Sequence, residues 1–225
     1  MNFDLAFAIK IVPVVLEGIG NTILVAILSF IGATLLGFVW EMLRRSHRLM
    51  RPVAQFIVDA IRSTPVLVQI YFLFFVLPHY GLALPAMFVG VFGISFYFSG
   101  YIAEVFKAGF DAVPKGQTEA AQALGLDRPD TSRFVVIPQM LRNIAAPIGA
   151  YPIQILKTTP LLAVIAVPEI LGSAFDVASN TYRYAEPMFD AGILFLILAL
   201  VVVAGIGRFE RWLGVAGKSI ANKQK

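Results

Sequence analysis

The 225-residue chain contains no cysteine, so disulfides and thiolate metal sites are excluded. Imidazole is almost as scarce. His47 and His79 are the only histidines, too few for an ordinary histidine-based zinc centre, and no metal site is expected. Charge is also thin. Charged residues make up 14% of the chain, against about 25% in soluble domains. The sequence lacks a Gly-x-x-x-x-Gly-Lys-[Ser/Thr] phosphate loop, which removes ATP binding by that route. It also lacks a nucleophile–base–acid cluster. Met1 to Lys10 contains Asp4, has no basic leader and precedes no small-residue cleavage site, so the apolar segments are expected to persist.

What fills the chain instead is hydrocarbon. Hydrophobic residues are 58% of it, and the mean hydropathy is +0.79. No single soluble core absorbs that much apolar surface, so the natural solvent is lipid. A helix needs about 20 apolar residues to cross a bilayer, and only a self-satisfied backbone is stable there. Five spans are expected, at about 16–43, 52–77, 84–110, 134–157 and 187–208, within a single all-α transmembrane domain, 1–225. The fourth is a candidate to continue, broken, from Thr158 to Val167.

The net charge of +4 would raise nucleic acid as a partner in a soluble protein, but its distribution reads as membrane orientation. Arg44, Arg45, Arg48 and Arg51 lie between the first two spans. Lys107, Lys115, Arg128 and Arg133 lie between the third and fourth, and Arg208, Arg211, Lys218, Lys223 and Lys225 form the tail. The opposite side has Lys10 and Arg183. The bias places the N-terminus outside and the C-terminus in the cytoplasm. Membrane lipid, not nucleic acid, is the expected surroundings.

The polar segment 111–138 carries the most information. Pro114 suits a first helical turn, the run from Glu119 to Leu124 is mostly good helix formers, and Gly125 suits the residue after a helix. Asp127 is placed to cap a second short helix with Pro129 in its first turn. Two short helices therefore meet at a glycine elbow, and small Ala120, Ala121 and Ala123 leave room for another surface.

Glu119-Ala120-Ala121, Gly125 after three residues, and Val135-x-Ile137-Pro138 after nine more resemble the EAA loop of bacterial ATP-binding cassette (ABC) importer permeases, with Val135 and Ile137 as conservative departures. Arg62-Ser63-Thr64-Pro65-Val66-Leu67-Val68-Gln69, Ser99 to Glu104 and Val113 to Gln117 are similar to the polar-amino-acid branch, of His/Glu/Gln type. Tyr182 to Pro187 looks like the subset handling ectoine-type solutes. The resemblance implies a type I importer permease fold. It implies translocation of polar amino acids or similar small zwitterions, with no catalysis by this chain. Gly116, Glu119, Ala120, Ala121, Gly125, Val135, Ile137 and Pro138 would couple to the energy source. The implied partners are an ABC ATPase dimer holding ATP and magnesium, a second identical or similar permease, and an extracytoplasmic solute-binding protein. No cofactor is expected on this chain. The site is the bacterial inner membrane.

Charges within the spans have two readings. Asp59, Arg62 and Glu104 could neutralise one another, or Arg62 or Lys157 could attract a substrate carboxylate. Arg62-Ser63-Thr64-Pro65 is echoed by Lys157-Thr158-Thr159-Pro160. If both prolines break helices near mid-membrane, the breaks would line a pathway and present hydroxyls and carbonyls to a zwitterion. An ion-coupled secondary transporter is the alternative, with Glu104 as its lone supporting acid.

Overall fold

A computed structural model describes residues 3–212. The tail cations Lys218, Lys223 and Lys225, used above for orientation, lie outside the described residues. Every regular element among the described residues is helical. Helix α1 (Leu5–Leu16) precedes α2 (Gly18–Ser46), α3 (Met50–Ser63) and α4 (Val66–Tyr71). After a π turn and a 3-10 turn come α5 (Ala86–Asp111), α6 (Lys115–Ala123), α7 (Arg128–Asp130) and α8 (Ile137–Gly149). Then follow α9 (Tyr151–Thr158), α10 (Ile170–Thr181) and α11 (Ala185–Trp212). Among the described residues, four helical stretches are long and apolar enough to cross a membrane, or five if the bent pair α3–α4 is one span.

The bundle is built on α2 against α5. On α2, Gly18, Thr22, Val25, Ser29, Ala33, Gly37, Glu41 and Arg44 are buried. They recur every three or four residues and so form one face. Most are small, which lets the backbones approach without a hydrophobic driving force between them. Trp40 Nε1 donates to Ser99 Oγ at 3.1 Å across this interface. Ile70, Ile94, Ile102, Met140, Ile155 and Leu162 complete the core.

Three segments differ from the simple span pattern. Helix α1, with 12 residues, is too short to span. It packs on α10 and α11, with Asp4 Oδ1 accepting from Phe7 N–H at 3.1 Å as its cap. The stretch expected as one helix over 52–77 bends by 102° at Thr64-Pro65, because proline removes a donor and disfavours helix in the residue before it. The fourth segment is a chain of short helices from Arg128 to Thr181; α8 runs through Pro147, the chain tightens to a 3-10 turn over Thr159–Ile165, and Ala166 takes a left-handed conformation at φ 57°.

Candidate functional site

The elbow forms for local reasons. Gly125 takes φ +85°, which an L side chain adopts only with strain. Its N–H donates to the Gln122 carbonyl at 3.0 Å and Leu126 N–H to the Ala121 carbonyl at 3.1 Å. This is the paired closure of a Schellman motif. Asp127 Oδ1 then accepts from Asp130 N–H at 2.8 Å and starts α7. A π turn over Thr131–Val136 leads into α8. Gln139 Nε2 donates to Gln117 Oε1 at 3.1 Å, tying α6 to α8.

Helix α6 has two distinct faces. Gly116, Glu119, Ala120 and Gly125 are exposed, as is Pro138 at the start of α8. Ala121 is buried, and Val135 and Ile137 are half-buried. The eight residues expected to couple thus divide into an outward face and an inward support. Ala121 is not available to a second protein, since α6 uses it to pack on its own chain. Leu124 is 83% exposed at the tip, an outward apolar residue that sequence reasoning treated only as a helix former.

The same end of the bundle holds a chain of ion pairs. Arg44 reaches Glu104 at 2.6 Å and Glu41 at 2.8 Å. Arg45 pairs with Glu41 and with Asp111, the latter at 2.6 Å. Arg62 lies 3.9 Å from Glu104 and 4.0 Å from Asp59. Of the two readings open for these charges, pairing among Asp59, Arg62 and Glu104 is present only at these long distances, and the short contact of Glu104 is with Arg44. Arg44 was counted as a loop cation, yet its side chain is 5% exposed.

Beside this chain opens a cavity of about 350 Å³ lined by Arg62, Tyr101, Glu104, Asn143 and Tyr151 among apolar neighbours. The Arg62 guanidinium lies 5.5 Å from the centre of the Tyr101 ring. Tyr101 Oη donates to the Arg62 carbonyl at 3.3 Å and meets Tyr97 Oη at 3.1 Å. Tyr101 lies three residues before Glu104, a helical spacing that could have flagged it. Asn143 and Tyr151 come from distant α8 and α9 and carry no such signal.

The rest of the expected pathway does not converge there. Lys157 lines a separate groove between α9 and α11. Thr64 donates to the Ala60 carbonyl, Thr158 to that of Gln154 and Thr159 to that of Leu156, all at 2.9 Å, and Thr159 is fully buried. The carbonyls of Ile61 and Thr64 at the first break both accept from Gln69 Nε2, at 2.9 and 3.1 Å. The first proline breaks the helix, whereas at Thr159-Pro160 the α-helix passes directly into a 3-10 turn; the threonine hydroxyl protons at both places are spent on the chain's own turns, and Gln69 closes the first break. Ser63 remains exposed beside Arg62.

At the opposite end Arg183 reaches Glu186 at 2.6 Å and Asp4 at 3.4 Å and covers the Phe7 ring, clasping α1 to the α10–α11 turn. The Asp4 carboxyl is held below the usual carboxylate range, first by the Phe7 N–H and, against a cost of burial, by Arg183.

An all-helical bundle with a broken second span, a projecting short-helix elbow and a charged cavity behind it defines a multi-pass membrane transport subunit of the type I importer class. Residues 33–215 match the family described as binding-protein-dependent transport system inner membrane component, and the chain belongs to that family. It is 37% identical over 205 residues to a probable amino-acid ABC transporter permease protein of Sinorhizobium fredii, covering 90% of this chain and 88% of that one. To the glutamine transport system permease protein of Escherichia coli it is 30% identical, covering 94% and 98%. A crystal structure of an amino acid ABC transporter with histidines shares the fold at TM-score 0.86 and 31% identity, covering 94% of this chain and 99% of that one. The chain is thus an inner-membrane permease component of the amino-acid ABC importer group, in which the ATPase is a separate subunit, and the ion-coupled alternative falls away.

Proposed function

We propose that this permease moves a polar amino acid or similar small zwitterion into the cytoplasm. Solute would arrive from an extracytoplasmic binding protein, and an ABC ATPase dimer carrying ATP and magnesium would drive the movement through the elbow. A second permease, identical or similar, completes the pathway. The N-terminus lies outside and the C-terminus inside, following the basic residues. The observation that carries this reading is the elbow itself. Its inner face is anchored to its own chain through Ala121 and Gln117, while Glu119, Ala120 and Leu124 face outward. An exposed leucine rimmed by small and charged residues fits a docking helix that seats in a groove of a partner.

The cavity supports the solute class. Arg62 and Glu104 bring opposite charges within 3.9 Å, and about 350 Å³ falls in the range of small-ligand sites. A substrate carboxylate would pair with Arg62, and an ammonium with Glu104 and the faces of Tyr101 and Tyr151. The Tyr182–Pro187 segment widens the class to ectoine-type solutes.

Co-purification with a candidate ABC ATPase subunit tests the docking. Leu124→Asp and Ala120→Arg alter only outward side chains and are expected to lose the ATPase while the permease stays folded in the membrane. Undiminished retention in both variants would remove the elbow from the coupling role.

A further inference from the structure

The break between α3 and α4 is held together by side chains. A helix leaves its last four carbonyls without intrahelical partners, and Thr64 and Pro65 are extended here, at ψ 129° and 137°, so α3 does not run on into α4. Side-chain donors take up the freed groups. Thr64 Oγ1 donates to the Ala60 carbonyl at 2.9 Å. Gln69 Nε2, from α4, donates to the Ile61 carbonyl at 2.9 Å and to the Thr64 carbonyl at 3.1 Å. Tyr101 Oη, from α5, donates to the Arg62 carbonyl at 3.3 Å. One amide therefore bridges a bend of 102°, and Arg62 lies in the chain between its two acceptors.

The amide contributes geometry more than net stability. Gln69 Oε1 is buried and has no hydrogen-bond partner among the described residues. An unpaired buried acceptor offsets much of what the two donors contribute.

Arg62 is the residue that this geometry holds. Its guanidinium makes only long acidic contacts, 3.9 Å to Glu104 and 4.0 Å to Asp59, and its side chain is 39% exposed. A long side chain without a short ionic contact takes its direction from its backbone and stem. Gln69 and Tyr101 fix the backbone. The stem lies against Gly100 of α5, where an added Cβ would sit 3.0 Å from Arg62 Cγ and 2.9 Å from Ile61 Cγ2. The missing side chain at Gly100 thus lets the end of α3 approach α5 and brings Arg62 to the cavity.

We propose that Gln69 is a positioning residue of the solute site. By bridging the Ile61 and Thr64 carbonyls it fixes the end of α3 and aims the Arg62 guanidinium at a solute carboxylate. Gln69 is outside the cavity lining and acts through Arg62, as a supporting hydrogen bond orients a contact residue. This role rests on the reading of Arg62 as a solute contact.

A double-mutant cycle on uptake by the assembled importer tests it, the probe being whichever common amino acid the wild type takes up best. Gln69→Met removes both donors at similar length. It is expected to raise the half-saturating concentration about fivefold, the worth of one hydrogen bond, at an unchanged maximal rate. In the Arg62→Met chain the same substitution is expected to add nothing, because its effect passes through Arg62. Gln69→Glu keeps the shape without the donors and is expected to match Gln69→Met. An unaltered half-saturating concentration in Gln69→Met, beside a raised one in Arg62→Met, overturns the positioning role and leaves the Arg62 reading standing. Equal increments in both backgrounds make Gln69 merely structural and overturn the role as well. Unaltered uptake in Arg62→Met removes the solute reading and this role with it. A second measurement needs no solute: phenylglyoxal modification of Arg62 in the purified full chain, read by peptide mass spectrometry against exposed Arg128 as the reference. Arg62 is expected to react faster in Gln69→Met while Arg128 does not change, and an unchanged Arg62 rate overturns the proposal.

Discussion

Arg44→Met is the most informative perturbation of the bundle. The substitution keeps much of the aliphatic length and removes the guanidinium. Three contacts are lost: Glu104 at 2.6 Å, Glu41 at 2.8 Å and Gln55 Oε1 at 3.0 Å. The damage comes less from the lost attraction than from what stays behind. Glu41 is 2% exposed at its side chain, and Arg45 then serves as its sole cationic partner. Removing one member of a buried pair costs about 3–5 kcal/mol, because the other charge is left uncompensated. The remaining Arg45 contact argues for the lower end, about 3 kcal/mol. In a chain of this size that is a fall of roughly 6–12 °C in melting temperature, measured by thermal denaturation in a fixed detergent. Glu41→Gln in the same chain neutralises the orphan and is expected to restore more than half of the loss. A melt within about 2 °C of wild type for Arg44→Met would refute the view that this arginine is an integral, desolvated part of the core.

Gly125→Val places a β-branched residue at φ +85°, at a cost of about 1–2 kcal/mol, and is expected to weaken ATPase retention although its added carbons point into open space. Gly18→Ala puts a methyl 2.5 Å from the Glu169 carbonyl and Ile170 nitrogen; overpacking of this kind costs about 1–3 kcal/mol, and an unchanged melt would show that α2 and the start of α10 are not so close. Arg62→Met is expected to raise the half-saturating solute concentration for uptake by about tenfold or more, the loss of a charge-assisted hydrogen bond; unaltered uptake removes Arg62 from the pathway. Asp4 has a lowered carboxyl pKa, so its stabilising effect is complete above the unfolded value near 4 and fades as acid protonates the folded carboxylate. Asp4→Ala is therefore expected to flatten the acid side of a melting-temperature profile, and an unchanged profile would remove Asp4 from the clasp.

Apolar runs and turn chemistry made the bundle and the elbow readable. Pro114, Gly125, Asp127 and Pro129 act within a few residues of themselves, and the Schellman closure at Gly125 depends on little else. The break at Thr64-Pro65 was readable for the same reason, but not the fate of the groups it frees. Gln69 reaches back to the Ile61 and Thr64 carbonyls, which requires knowing the bend. Arg44 defeated the linear reading because an arginine at the end of an apolar run signals a loop, and its burial depends on Glu104 arriving 60 residues later. Lys157 and Arg62 share a local motif but face different surroundings, since local similarity says nothing about which helix packs opposite. Helix α1 was overlooked because its 12 residues fail the length test for a span and its partners α10 and α11 lie at the far end of the chain.

The proposed coupling has a short mechanical route. Helix α5 carries Tyr101 and Glu104 into the cavity and ends at Asp111, three residues before the Pro114 cap of α6. Helix α8 leaves the other side of the elbow and carries Asn143 to the same cavity. The two helices meet at Gly109, where an added Cβ would collide with Ile144 and press on Met140, and Asn143 Nδ2 donates to the Gly109 carbonyl at 3.5 Å. Packed interiors pass displacement on because they have few voids to absorb it. A force on α6 would therefore act on two cavity walls that touch within the cavity lining at Gly109 and Ile144, and tilting them together would change the spacing between Arg62 on α3 and Glu104 on α5. That spacing, 3.9 Å here, governs whether the two charges satisfy each other or are free for a zwitterion. Arg44 holds Glu104 from the far side at 2.6 Å, so the carboxylate keeps a partner in both arrangements and Arg62 is the group released. In the proposed coupling the permease would bind solute through an arginine made available by movement, and the ion-pair chain of Glu41, Arg44, Arg45 and Glu104 would set the energy difference between the two arrangements.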